Sequence, residues 1–280
     1  MNNSTGDPTV VVRHTKWGTS VSVFLIMAGI LTALGWIWSV GADSRAAARC
    51  RDNLKNIGLA LRLYHEHHGS FPPAYVVDPK GRRFHRWRVL ILPELGRQEL
   101  YARYRFDEPW DGPHNHLLIS EMPPVFGCPA DRSRPHGQTN YVAVVGPTTI
   151  WPHEHSASLR DVTDGASNTL HVVENHDLHI AWSEPRDLPF DEVKRLVDAN
   201  RLPGISSPHE AIAHALLADG QVRKINTNIN GDIFKKFCTI AAGLALIGDC
   251  LSSLLRSRWS RCSRRKVSST PLLRRYRKHR

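Results

Sequence analysis

Three arrangements that carry much of protein chemistry are missing from this sequence: a C-x-x-C pair, a His-Glu-x-x-His run and a Gly-x-Ser-x-Gly elbow. Their absence excludes zinc ribbons and thioredoxin-like redox centres, the helical zinc-protease site and the hydrolase nucleophile turn. Catalysis is not expected, and neither is a resident cofactor. Acid is missing from 251–280, which holds eleven Lys or Arg residues. Removing those eleven from the 37 basic residues of the chain leaves 26 against 26 acidic ones, so the net charge of +11 belongs to the tail and the body is neutral. A nucleic-acid-binding body is therefore not implied, and no specific nucleic-acid partner is expected.

Charge of either sign is also missing between Lys16 and Asp43. Within that stretch, 20–40 reads SVSVFLIMAGILTALGWIWSV, which as a helix reaches about 31 Å and matches a bilayer core of roughly 30 Å. Trp17 at one end and Trp36 and Trp38 near the other suit interfacial aromatic belts. A single-pass membrane protein is the expectation, with the bilayer as its first partner. A buried core helix and a cleaved signal peptide behind Arg13 and Lys16 are the alternatives, the latter weakened by the want of a small-x-small cleavage site. Arg13 and Lys16 on one flank compete with Arg45, Arg49, Arg51 and Lys55 on the other, so charge does not set the orientation.

Past the charge-free stretch, Ala46-Ala47-Ala48 opens a strongly helical segment in which Cys50, Leu54, Ile57, Leu61 and Tyr64 recur every three or four residues. One apolar stripe on a helix is predicted, with Arg51, Asp52, Lys55, Asn56, Arg62 and Glu66 on the other face and Gly69 with Phe71-Pro72-Pro73 as the stop. Nothing stronger than Gly41 separates the two segments, so they are expected to form one helix of about 48 residues, near 70 Å long. A helix half in lipid and half against a domain is the architecture of type IV pilins and pseudopilins. The fold class expected is α+β, with this long, partly transmembrane helix packed on an antiparallel sheet. The divisions are a flank at 1–19, a transmembrane helix at 20–40, its continuation at 41–68, a pilin-like domain at 69–237 and an apolar, then basic, disordered tail at 238–280.

Sixteen histidines raise a metal question, with His65, His67 and His68, the pair His114 and His116, the pair His153 and His155, and the set His171, His176 and His179 the densest. Of these, His65 and His68 have the spacing that shares a helix face. Hard oxygen donors of the kind calcium takes occur at Asp161, Asp164, Asn168 and Glu174, and again at Asp107, Glu108 and Asp111. Neither set follows the EF-hand pattern, and Asp164-Gly165 also reads as a turn. Calcium on Asp161, Asp164 and Asn168 is the one ion expectation.

The run Cys50-Arg-Asp-Asn-Leu-Lys-Asn-Ile-Gly-Leu-Ala-Leu, then Tyr64-His65 and Gly69-Ser70-Phe71-Pro72-Pro73, resembles the opening of a large bacterial family called domain of unknown function 1559, also labelled solute-binding-protein-like. The resemblance continues through Trp87 to Pro93, Phe106 to Asp111, Cys128-Pro129-Ala130-Asp131, Thr139 to Pro147 and Asp161 to Thr169, covering roughly 45–240. His209, followed after nine residues by Asp219-Gly220, resembles the H-x9-DG motif associated with prepilin-type systems. In the family that segment implies a Gly-rich loop and a strand, and here 215–225 fits a hairpin turned by Asp219-Gly220. Two departures stand out: the prepilin leader with Phe-Thr-Leu-x-Glu is absent at Gly18-Thr19-Ser20-Val21-Ser22, and 210–213 reads Glu-Ala-Ile-Ala where glycines are usual.

Of the five cysteines, Cys238, Cys250 and Cys262 lie outside the segments read as domain, while Cys50 and Cys128 lie in two of the resembling motifs. In an exported domain these two would be joined across nearly eighty residues, a closure worth about 4 kcal/mol; two reduced, buried thiols are the alternative. In the tail, Thr239 to Leu255 is apolar but interrupted by Asp249, too short for a second span. Beyond it, the basic run would be drawn to anionic lipid by about 1 kcal/mol per Lys or Arg near the surface. Nonspecific nucleic-acid contact, no selected role and a reading-frame slip are its other readings. The resemblance implies a pseudopilin-like structural or secretion component of the cell envelope, with other pilin-like subunits as partners and the domain on the extracytoplasmic side; the alternative is a membrane-tethered module binding a solute or surface polymer.

Overall fold

The computed structural model describes residues 17–198, 204–209 and 212–241, leaving the side chains of 17–22, 37, 39–42, 197 and 198 outside that description. Its longest element is α1 (Trp17–His68), one helix of 52 residues that Gly41 does not interrupt. Gly69, at φ 77°, ends it by turning its N–H back to the His65 carbonyl at 2.8 Å, a conformation glycine adopts without strain.

After the helix, β1 (Tyr75–Val77) pairs with β2 (Arg83–Arg86), and three short helices follow: α2 (Trp87–Leu90), α3 (Gln98–Arg103) and α4 (Asn115–Leu118). The strands β3 (Gln138–Thr139), β4 (Tyr141–Val142), β5 (Val144–Val145), β6 (Leu170–Glu174), β7 (Ile180–Ala181) and β8 (Leu188–Pro189) come next. They are followed by α5 (Phe190–Asp198), β9 (Ile212–Leu217), β10 (Val222–Asn226) and α6 (Gly231–Cys238). The chain is thus a mixed helix and sheet protein of the α+β class.

The principal sheet has the order β10-β9-β6-β4, antiparallel throughout, with Val173 opposite Ala215 and Tyr141 opposite Glu174. Every residue of β6 is buried, which a strand reaches only when both faces of its sheet are covered. On one face Tyr141, Val172 and Leu216 join Leu54, Ile57 and Leu61 of α1. On the other, Val142, Val173, Ala213, Ala215 and Leu217 meet Phe190 and Val193 of α5 and Phe234 of α6. The predicted stripe of α1 therefore faces the sheet. The second helical layer is built from α5 and α6, whose apolar and charged residues alternate at helical spacing with acids in the first turn and bases in the last, but which face they bury depends on a distant partner.

The close approach of α1 to β9 uses Gly58: a Cβ there would stand 2.7 Å from Leu216 Cδ1. At the C-terminal side the boundary drawn at 238 falls inside the fold. Cys238 is buried against the second face, the Ile240 N–H donates to the Thr148 carbonyl at 3.0 Å, and the Thr163 N–H donates to the Ile240 carbonyl at 2.9 Å. These long-range bonds hold residues that composition assigns to a tail. The rest of that tail, 242–280 with Cys250 and Cys262, lies outside the described residues, as does the flank at 1–16.

Among the described residues no helix is long and apolar enough to cross a membrane. The span expected over 20–40 includes residues whose side chains are not described, and the uninterrupted described part, 23–36, is shorter than a span and exposed along its whole length.

Candidate functional site

Cys50 on the buried stripe of α1 and Cys128, just past the 3-10 turn Pro124–Phe126, lie 78 positions apart in sequence and are joined by a disulfide with Cα atoms 5.2 Å apart. Neighbouring side chains fix both ends. Asn53 Nδ2 donates to the Gly127 carbonyl at 3.0 Å, the Cys128 N–H donates to Asn140 Oδ1 at 2.7 Å, and the Tyr141 hydroxyl donates to the Cys50 carbonyl at 3.3 Å. The bridge thereby ties the long helix to the loop that leads into β3.

His209 closes over the sulfurs, with Nε2 3.2 Å from Cys50 Sγ and 3.4 Å from Cys128 Sγ. Burial pushes its pKa down from the ordinary value, more than the nearby Glu174 carboxylate raises it, which favours the uncharged ring. Glu174, the last residue of β6, is fully buried beside it. Its Oε2 accepts from the His214 N–H at 2.7 Å and from Ser207 Oγ at 3.2 Å, and lies 3.1 Å from His214 Nδ1. Its Oε1 is buried and has no hydrogen-bond partner. One donor atom from each of Cys50, Cys128, Glu174 and His209 lies within 4.8 Å of the others, which makes these four the group among the described residues able to converge on an ion.

A second polar layer supports this cluster. Asp131 Oδ2 accepts from Asn140 Nδ2 at 2.9 Å and sits 2.9 Å from His176 Nδ1, while Ser133 Oγ donates to Oδ1 at 2.8 Å. Burial alone would raise the Asp131 carboxyl, but these hydrogen bonds and the imidazole outweigh it and hold the group below the usual range. The His176 N–H donates to Ser206 Oγ at 2.8 Å, so the segment carrying His209 is tied to the sheet at Ser206 and again at Ser207.

The two ends of the His209 to Gly220 motif do different work. His209 faces the disulfide, whereas Asp219 and Gly220 turn the β9–β10 hairpin: Gly220 has φ 86°, the Gln221 N–H donates to Asp219 Oδ1 at 2.9 Å, and the Leu217 N–H donates to the Gln221 carbonyl at 2.9 Å. That hairpin presents His214 to Glu174.

The acidic turn does not gather with Glu174. Asp161 Oδ2 accepts from the Ser158 N–H at 2.7 Å and from Ser158 Oγ at 3.0 Å, completing a capping box, and Asn168 Nδ2 donates to the Asp164 carbonyl at 3.2 Å. Glu108 likewise caps a turn, accepting from the N–H groups of His114 and Asn115 at 2.9 and 2.6 Å. The helix histidines diverge: His65 Nε2 accepts from the Leu159 N–H at 3.3 Å, His67 lies 3.7 Å from Glu94, and His68 stacks on Tyr64. His171 is a core residue between Phe71 and Trp151, its pKa driven down to about 3 by burial.

Cys50, Cys128 and His209 lie in motifs visible in the sequence, whereas Glu174 sits beside His214 and apart from Asp161, and no spacing along the chain joins Asn140, His176 and His214 to them. The one signal that could have found Asn140 was its place in the Thr139 to Pro147 motif. Residues 43–157 match the family model described as SBP_bac_10, protein of unknown function (DUF1559), which is the family the motifs resemble. The match takes in Cys50, Cys128, Asp131 and Asn140, and stops before Glu174, His209 and the Asp-Gly turn. No curated protein and no solved structure matches the chain.

Proposed function

We propose that this chain, matched to the DUF1559 family over 43–157, is a pilin-like envelope protein anchored in a membrane by the first part of α1, with its domain on the extracytoplasmic side. The observation that carries the reading is the contrast within one helix. Phe24, Leu25, Trp36 and Trp38 are 79, 69, 70 and 74% exposed, whereas Cys50, Leu54, Ile57 and Leu61 are all fully buried. Apolar surface on that scale is unfavourable in water by about 25 cal/mol per Å², and a bilayer removes it. The charge-free stretch from 17 to 42 supports the same reading. The Cys50–Cys128 disulfide favours an oxidising compartment for the domain. Without Phe-Thr-Leu-x-Glu, α1 serves as an anchor, and its role is structural or secretion-related beside other pilin-like subunits.

Membrane fractionation tests this. The full chain is expected in the membrane pellet, resistant to alkaline carbonate, while a variant lacking 17–42 is released. Full-length protein that carbonate extracts would remove the anchor, and in-membrane crosslinking that returns no pilin-like neighbour would remove the structural role.

A tethered binding module is the second reading, favoured by a surface groove of about 570 Å³ lined by Arg97, Gln98, Arg103, Glu121, Met122 and Pro124. It predicts that a solute or surface polymer raises the melting temperature of the chain, an effect the structural role does not require.

A further inference from the structure

We propose that Cys50, Cys128, His209 and Glu174 become a four-donor site for Zn²⁺ when the disulfide is reduced, so that the metal and the sulfur–sulfur bond are alternative occupants of one place. This inference does not depend on the membrane anchor.

Distances support it first. In a tetrahedral zinc centre with Zn–S near 2.3 Å and Zn–N near 2.0 Å, a nitrogen and a sulfur ligand stand about 3.5 Å apart and two sulfurs about 3.8 Å. His209 Nε2 is already 3.2 and 3.4 Å from the two sulfurs, and all four donors fall within 4.8 Å. Breaking the S–S bond lets the sulfurs part by the remaining amount, a shift of the size a cysteine rotamer supplies.

The carboxylate supports it independently. Glu174 Oε2 is committed to His214 and Ser207, while Oε1 is fully buried and accepts nothing. A buried acceptor without a donor is destabilising, and a cation removes that deficit. His214 holds the carboxylate and Asn140 holds the Cys128 backbone, the kind of outer support that orients metal ligands. His209 Nε2 already faces both sulfurs, and with Nδ1 carrying the ring proton it has a lone pair to give. Two thiolates and a carboxylate bring three negative charges to a buried place, and a divalent cation with a neutral imidazole leaves one.

The redox step balances with a dithiol as reductant. It transfers two electrons and two protons to the Cys50–Cys128 bond, giving two thiols, and becomes a disulfide itself. On binding Zn²⁺ the two thiols release two protons to water. Reoxidation by a protein disulfide reverses the sequence and frees the metal.

Cobalt substitution is the test, on the full chain in detergent, reduced with a phosphine and freed of reductant under anaerobic conditions. The reduced chain is expected to bind one Co²⁺ with a thiolate-to-cobalt charge-transfer band that Zn²⁺ bleaches, and the oxidised chain to show none. Cys50→Ser and Cys128→Ser remove the band, and His209→Ala weakens binding by more than about tenfold. A reduced, folded chain with no band overturns the proposal. So does a band undiminished in Cys50→Ser, which would point to Cys238, Cys250 or Cys262. If reduction abolishes the helical circular dichroism, its return on adding Zn²⁺ supports the site, and its failure to return refutes it.

Discussion

Arg88 and Asp187, ninety-nine positions apart in sequence, meet in the interior with Nη2 2.9 Å from Oδ1. Arg86 pairs with the same carboxylate, Trp87 Nε1 donates to its Oδ2 at 3.0 Å, and the Ala143 N–H donates to its Oδ1 at 3.0 Å. Both guanidiniums are buried; burial drives the Arg88 pKa down to about 9, and burial together with the neighbouring Arg88 charge holds that of Arg86 well below its ordinary value. Asp187 is thus the counter-charge that lets the turn from β2 into α2 enter the core.

Asp187→Ala leaves two buried cations and the Trp87 N–H unmatched. A loss of about 3–5 kcal/mol is expected, read as a fall in the urea midpoint, whereas breaking the exposed Arg103–Glu121 pair should leave the midpoint nearly unchanged.

Reduction of the Cys50–Cys128 bridge in the presence of a chelator is expected to lower stability by about 4 kcal/mol, since the unfolded chain then recovers the freedom of a 78-residue closure. Guanidinium unfolding with and without reductant measures it, and the double Cys→Ala variant should match the reduced chain.

Gly58→Val places a branched side chain where even a Cβ meets Leu216 at 2.7 Å. The helix must move off β9, at a cost of about 1–3 kcal/mol, and the variant's thermal midpoint should fall although the new residue is no worse a helix former than glycine.

His171 gives the fold an acid limit. Its pKa is about 3 when folded against an ordinary 6.5, so between those values the unfolded chain binds the extra proton and stability falls as pH falls. From pH 7 to pH 5 this one group removes about 2 kcal/mol. His171→Leu should flatten that part of the pH profile of the unfolding midpoint, and an unchanged slope would place the titration elsewhere.

The sequence alone determined what depends on neighbours along the chain. The buried stripe from Cys50 to Leu61, the stop at Gly69 and the hairpin turn at Asp219-Gly220 each rest on a spacing of one to four residues or on one residue's backbone freedom, and the structure places all three where the pattern does. The motifs also brought Cys50, Cys128 and His209 into view. Tertiary structure alone decided what those residues face. Glu174 sits beside His209 and away from Asp161 because β6 pairs with β9, a register between segments some forty positions apart. Asp187 finds Arg88 across ninety-nine positions, and Cys238 is core where composition reads tail. Such contacts form because burying apolar faces on both sides of one sheet brings distant polar groups together out of water, where each must find a partner; the spacing of residues along a chain carries no record of which partner that is.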